Sequence, residues 1–318
     1  MTEQIFFLGA GASREAGIPT QKELWEKIQD KYYHSGDQTI KEILDFAAYL
    51  NFAEPKDKVQ INTAELLTLM DLTLEQNSAM GRYGEKDLRQ IREALVAVIC
   101  DILEGAVKKE RYGVLADFCH QLTHKDSIIS LNYDTVMDHV ILDCQGAVDY
   151  GFPFELMDGG GCFSPKQDWK PILLKPHGSL NWLYCPRCNH LYLLVSSMEK
   201  DTALGMKCRR DQHPLSRVIV TPSYHKRFLV PQLHDVWRRC FEAINRAQVI
   251  YFIGYSFPPG DVHIIHLIKR AVLAGGQCPE IYVISPDSDG AVFKSCENIF
   301  SSFHYYQASF HDYFYGRM

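Results

Sequence analysis

Long apolar runs are missing from this 318-residue chain. The longest, VIYFIGYSF at 249–257, is broken by Gly254 and Ser256 and falls far short of the roughly 20 residues that cross a bilayer. The N-terminal MTEQIFFLGAGAS has no basic leader, and its short apolar run does not make a signal peptide. No membrane segment is expected, and the location expected is cytoplasmic. Basic charge is scarce as well: 33 Lys and Arg against 39 Asp and Glu give a formal net charge of −6. Gripping phosphate backbones needs the opposite balance, so direct nucleic-acid binding is not expected. Low complexity and internal repeats are also lacking. With 46% hydrophobic and 23% charged residues, the composition is that of a globular protein and excludes disorder.

Short β-branched and aromatic runs read as buried parallel strands at 5–10, 127–133, 172–178, 218–222, 249–257 and 281–286. Amphipathic helical patterns lie between them: DTVMDHVILDC, DVWRRCFEAINRA, and DVHIIHLIKRAVLAG, which stops at Gly275 and Gly276. That alternation predicts an α/β fold with a doubly wound parallel sheet. Two segments break it. Residues 23–109 are almost wholly helical and read as an insertion, with Leu66, Leu67, Leu69 and Met70 forming either its core or a subunit contact. Residues 181–214 are Cys-rich and irregular and read as a small module. The main domain is then expected from 1–22, 110–180 and 215–318, with 158–170 a Gly-rich loop.

Polar and glycine residues cluster at the expected strand ends, where α/β sheets place ligand contacts. The first strand runs into Gly9-Ala10-Gly11-Ala12-Ser13, then Gly17-Ile18-Pro19. Glycine there lets backbone N–H groups approach a phosphate, although a tight strand–helix turn explains it equally. Arg14 stands where G-x-G-x-x-G needs its third glycine, and no Gly-Lys-Ser/Thr is present after it, so neither common phosphate loop is found. Asn132 and Asp134 come after the second strand; Asp134 could bind an amide or simply cap the next helix. His177, before Gly178, is placed for proton transfer or for a structural hydrogen bond. Gly254, Ser256 and Ser285 close the later strands.

The ten cysteines mostly sit in apolar surroundings such as AVICDIL and WRRCFEA, which fits a reducing compartment, where clustered cysteines bind metal more often than they form disulfides. Cys185-x2-Cys188 and, after 19 intervening residues, Cys208-x4-His213 can form a tetrahedral structural zinc site. The expected ligands are Cys185, Cys188, Cys208 and His213, with His190 and Asp211 competing for the fourth place. A redox pair at Cys185 and Cys188 is the other reading.

In their order, these motifs resemble the sirtuin superfamily: Gly-Ala-Gly with Ser two residues on, Gly-Ile-Pro, Asn-x-Asp, His-Gly, a cysteine zinc ribbon and Gly-x-Ser. The resemblance implies an NAD-binding Rossmann-like domain with a small zinc-ribbon-like module. It implies that Gly9, Ala10, Gly11, Ala12 and Ser13 hold the pyrophosphate and Asp134 the nicotinamide carboxamide. Asn132 would orient ribose and water, His177 would be the base, and Gly254 and Ser256 would lie under the adenosine half, with Ser285 a further candidate for cofactor binding.

The chain departs from the lysine deacylases: Thr20-Gln21-Lys22 replaces their Asp-Phe-Arg after Gly-Ile-Pro, and the helical insertion is foreign to them. It looks like the divergent branch of bacterial anti-phage systems, whose members hydrolyse NAD. That branch implies a homo-oligomer and a partner such as a HerA-type ATPase. The expected activity is an NAD glycohydrolase, with a lysine deacylase or a non-catalytic NAD or ADP-ribose sensor as alternatives. The departing nicotinamide is neutral, so no acid need protonate it, and no pair of acidic residues sits at neighbouring strand ends.

Overall fold

A computed structural model describes residues 3–54, 59–108, 111–157, 162–163, 171–194, 205–221, 223 and 230–316. The elements run β1 (Gln4–Leu8), α1 (Ala10–Ser13), α2 (Gln21–Ser35), α3 (Gln38–Leu50), α4 (Thr63–Glu75), α5 (Glu85–Ala106), α6 (Gly113–Gln121), β2 (Ser127–Ser130) and α7 (Val136–Gln145). Then come β3 (Phe154–Leu156), β4 (Cys162–Phe163), β5 (Ile172–Leu174), β6 (Gly178–Tyr184), β7 (Leu191–Leu193), β8 (Ser216–Ile219), α8 (Pro231–Arg246) and β9 (Val249–Ile253). The chain closes with α9 (Val262–Gly275), β10 (Glu280–Ile284), α10 (Ala291–Ile299), β11 (His304–Tyr306) and α11 (Phe310–Gly316). No helix among the described residues is long and apolar enough to cross a membrane.

The chain divides into two compact units, one of residues 1–17, 108–219 and 228–318 and one of 18–107 and 220–227. The first holds a six-stranded, all-parallel sheet in the order β11-β10-β9-β1-β2-β5. Numbered along the chain within that sheet, the order is 6-5-4-1-2-3, which is the dinucleotide-fold arrangement. Its central strand is buried along almost its whole length, as a strand covered on both faces requires. Successive side chains alternate between the faces. Phe6 stacks on Tyr251 and meets Phe118 of α6 edge-on, while Phe7, on the other face, stacks on Phe252.

A second, mixed sheet in the same unit has the order β4-β3-β7-β6-β8, and the cysteine-bearing segment hangs from it. The run at 218–222 was expected in the parallel sheet. Val218 and Ile219 instead enter this sheet in β8, antiparallel to β6, because an apolar run carries no mark of which sheet it will join; Val220 and Thr221 are not strand, and Pro222 lies outside the described residues. The run at 172–178 likewise ends as a strand at Leu174. Pro176 has no N–H for a ladder, and Gly178, at φ +82°, turns the chain into β6 with Val218 O only 2.0 Å from where a Cβ would stand. The sixth parallel strand is β11, too polar and short to read as one. Within the expected loop at 158–170, residues 162–163 form β4 and the rest lies outside the described residues.

The second unit carries α2 to α5. Thr20 starts α2 through a capping box: its N–H and its hydroxyl both donate to Glu23 Oε2, at 2.8 and 2.9 Å, which settles two groups at the helix end. Leu66, Leu67 and Met70 are fully buried, so that part of the stripe is internal core, whereas Leu69 is 43% exposed. Asp71, buried, pairs with Arg92.

Candidate functional site

Where the strand order reverses, between β1 and β9, an open parallel sheet leaves a crevice at its carboxyl ends. Gly9, Gly11 and Gly254 meet there backbone to backbone. The N–H of Gly9 donates to Ile253 O (3.0 Å), that of Gly11 to Gly254 O (2.9 Å) and that of Ala12 to Gly9 O (2.9 Å). A Cβ on Gly9 would lie 2.5 Å from Gly254 O, and one on Gly254, at φ +61°, would lie 2.3 Å from the Ala12 nitrogen. The glycines are thus required by the close approach of loop and strand, and three of the loop's amides are committed to its own fold. Ser256 is exposed next to Gly254, and Ser285, buried at the end of β10, donates its N–H to Tyr306 O at 3.1 Å.

Ser13, Asn132 and Asp134 form one hydrogen-bonded group although they are far apart in sequence. Asn132 Nδ2 donates to Gly9 O (2.9 Å) and to Ser13 Oγ (3.1 Å), and Ser13 Oγ donates to Asp134 Oδ1 (3.3 Å). That leaves Asn132 Oδ1 without a partner among the described residues. Asp134 Oδ1 also accepts the Val136 N–H at 3.0 Å, so this carboxylate does secure the first turn of α7. Burial pushes the Asp134 carboxyl up, against the opposing charge of Lys175.

Lys175 gave no functional signal in the sequence, yet it holds the floor of the site. Fully buried, its Nζ donates to Asp134 O (2.6 Å), Asp138 Oδ2 (2.9 Å) and Ser179 Oγ (2.6 Å). Tyr150 donates its hydroxyl to the other Asp138 oxygen. One ammonium therefore ties together the end of β2, α7 and the start of β6, with His177 two residues along the chain.

His177 is 2% exposed. Its Nδ1 faces Leu131 O at 3.2 Å; a carbonyl can only accept, so Nδ1 carries the proton and Nε2 of the neutral ring offers a lone pair. That Nε2 lies 2.9 Å from Nε2 of His263, and Asp261 Oδ1 lies 3.9 and 4.0 Å from the two nitrogens. Trp237 holds the turn before it through Nε1–H to Pro176 O at 3.0 Å. Asp261 and His263 were missed in the sequence, where Asp-x-His at the mouth of a helix looks like an ordinary helix start.

At the second sheet, Cys185, Cys188, Cys208 and Asp211 bring four candidate ligand atoms within 4.8 Å of one another. Cys188 and Cys208 Sγ are 3.5 Å apart, and Cys185 Sγ is 3.5 Å from each Asp211 carboxylate oxygen. Ligands at about 2.3 Å from a tetrahedral zinc stand about 3.8 Å apart, so this donor set fits such an ion. Burial raises the Cys208 thiol, but hydrogen bonds from Tyr192 and the Arg210 and Asp211 amides outweigh it and hold it below its ordinary value. None of the nine cysteines other than Cys162 is in a disulfide.

His213, expected as the fourth ligand, is not in the group. Its backbone N–H donates to Asp211 Oδ1 and its carbonyl accepts from Cys208 N–H. The turn after Cys208 thereby brings the residue three along to the thiolates, not the residue five along. The Nε2 of His190, the other competitor, is 2.9 Å from Glu155.

A model of the SIR2-like domain matches residues 126–304, which is 179 of the 318 residues. The chain belongs to the SIR2-like family. Solved structures similar to this SIR2-like chain include a Sir2 enzyme from work on Sir2 mechanism and regulation (14% identity, 98% of this chain and 89% of that one, TM-score 0.48). Others are a Sir2 homologue in complex with NAD (16%, 98% and 86%, TM-score 0.41) and a Sir2 homologue mutant with ADP-ribose (15%, 98% and 88%, TM-score 0.42). No curated protein matches the chain. The family assignment rests on the domain match.

Proposed function

We propose that this SIR2-like protein is an NAD glycohydrolase, converting NAD and water to nicotinamide, ADP-ribose and a proton. Family membership supports an NAD-dependent, sirtuin-like function. The observation that carries the chemistry is a buried His177 whose Nδ1–H is fixed on a carbonyl, so that its Nε2 can take a proton at the strand ends. The C1′–N1 bond breaks with its electron pair passing to the ring nitrogen, and the positive ribose carbon is met by a water. Asn132, tethered by Nδ2 to the glycine loop, has Oδ1 to hold that water while His177 Nε2 takes its proton. Asp134 is placed to accept from the nicotinamide amide, and the loop of Gly9, Ala10, Gly11, Ala12 and Ser13, at the end of β1, would hold the pyrophosphate. Gly254, Ser256 and Ser285 lie toward the adenosine side.

The segment after Gly-Ile-Pro favours hydrolysis over deacylation. Thr20 begins α2 at once through its capping box, leaving no Asp-Phe-Arg segment there. Cys185, Cys188, Cys208 and Asp211 would hold a structural zinc ion that fixes the loops of the second sheet. A part in anti-phage NAD depletion, as a homo-oligomer or with a HerA-type ATPase, belongs to the same reading. Incubation with NAD alone, with product analysis in the presence and absence of such a partner, is the test. Nicotinamide and ADP-ribose should form without any acyl-lysine peptide, and His177→Ala or Asn132→Ala should lose about 10²–10⁴-fold with bound zinc unchanged. Turnover that needs acyl peptide, or NAD bound and left intact, overturns the proposal.

A further inference from the structure

His177 has a feature that proton transfer does not need: two imidazole nitrogens and a carboxylate from separate elements converge at one point. His177 comes from the turn after β5, Asp261 from the 3₁₀ turn Pro259–Asp261, and His263 from the first turn of α9. Their ligand atoms all lie within 4.8 Å of one another. The surroundings of His177 and Asp261 are those of a ligand. His177 donates its other ring N–H to Leu131 O, and the far oxygen of Asp261 accepts the buried Tyr255 hydroxyl at 3.0 Å. Ligating imidazoles are usually oriented by such a carbonyl, and ligating carboxylates by such a donor.

We propose that His177, Asp261 and His263 form a second metal site, for a divalent transition-metal ion of the zinc type, distinct from the cysteine cluster. Imidazole nitrogens about 2.0–2.1 Å from a tetrahedral zinc stand about 3.4 Å apart, so the pair at 2.9 Å opens by about half an ångström to admit the ion. His263 can give that room, since its side chain is 20% exposed while that of His177 is 3% exposed. Two nitrogens and one oxygen leave a position open, and the donor set suits Zn²⁺ or Co²⁺ and not Mg²⁺ or Ca²⁺. The ion takes the Nε2 lone pair that the hydrolytic reading assigns to the base. On that reading, occupancy switches hydrolysis off; ion binding itself does not depend on it.

The test is titration of the full chain with Co²⁺, monitored by absorption. A cobalt ion on His, His and Asp gives d–d bands without the thiolate charge-transfer band that any cobalt at the cysteine cluster shows. The parent should bind one thiolate-free equivalent and His263→Ala none. His263→Cys should bind it with a thiolate band added, which also shows that the altered site still folds. Tyr255→Phe should weaken it about 10–100-fold. No thiolate-free cobalt in the parent, or its survival in His263→Ala, overturns the site, the two rings then merely sharing a proton. In a separate arm, Zn²⁺ should inhibit NAD loss. If the parent consumes no NAD with or without the partner ATPase, the hydrolytic reading fails while the cobalt result stands.

Discussion

Replacing Lys175 by Met keeps the length of the side chain and removes its charge from a fully buried position. Three acceptors lose their donor: the Asp134 carbonyl, the Ser179 hydroxyl and the Asp138 carboxylate. The carboxylate dominates. Its side chain is 5% exposed, and beside the ammonium it keeps chiefly the Tyr150 hydroxyl. Breaking a buried ion pair by removing one partner costs about 3–5 kcal/mol, because the remaining charge is uncompensated. Removing both charges, in Lys175→Met with Asp138→Leu, avoids that penalty. It leaves neutral groups unsatisfied at about 1–3 kcal/mol each, offset in part by better apolar packing. The double variant should therefore be clearly more stable than Lys175→Met alone. Urea unfolding monitored by tryptophan fluorescence measures both, and at about 1–3 kcal/mol per molar the single variant should lose at least about 1 M in midpoint. A single variant within about 1 kcal/mol of the parent, or a double variant as damaged as the single, would show that the ion pair does not hold this floor.

Gly254→Ala forces a left-handed residue to carry a Cβ against the Ala12 nitrogen; strain and overlap together should cost about 2–5 kcal/mol, read by thermal unfolding. The same variant should weaken NAD binding by calorimetry, since the glycine loop must move. Cys185→Ser should lower the bound zinc measured by elemental analysis, whereas His213→Ala should leave it unchanged, because Asp211 and not His213 stands with the thiolates. Burial raises the Asp134 carboxyl in the folded state, so the folded chain holds that proton more tightly than the unfolded chain. The charged form then costs stability progressively as pH rises from about 4, the unfolded value. Asp134→Asn should therefore gain stability at neutral pH and little below about pH 4, as unfolding across that range would show.

Much of this protein is local, and local physics is legible in a sequence. Buried apolar runs alternating with helical patterns specify a parallel α/β sheet, and that topology alone sets Gly9, Asn132, His177 and Gly254 after the carboxyl ends of its strands, without knowledge of any contact. The paired spacing of Cys185, Cys188 and Cys208 marks a cluster for the same reason: short turns bring near neighbours together. Tertiary structure decided the rest. Which sheet the 218–222 run joins depends on the turn at Gly178, not on its own pattern. Asp211 replaces His213 because the backbone after Cys208 folds onto itself, a matter of turn geometry invisible in a spacing count. Lys175 looks like any lysine until Asp138 closes around it, and Asp261 and His263 look like an ordinary helix start until α9 and the turn before it deliver them to His177 from more than eighty residues away. A sequence records what each residue can do, but only packing decides which distant residues share a few ångströms.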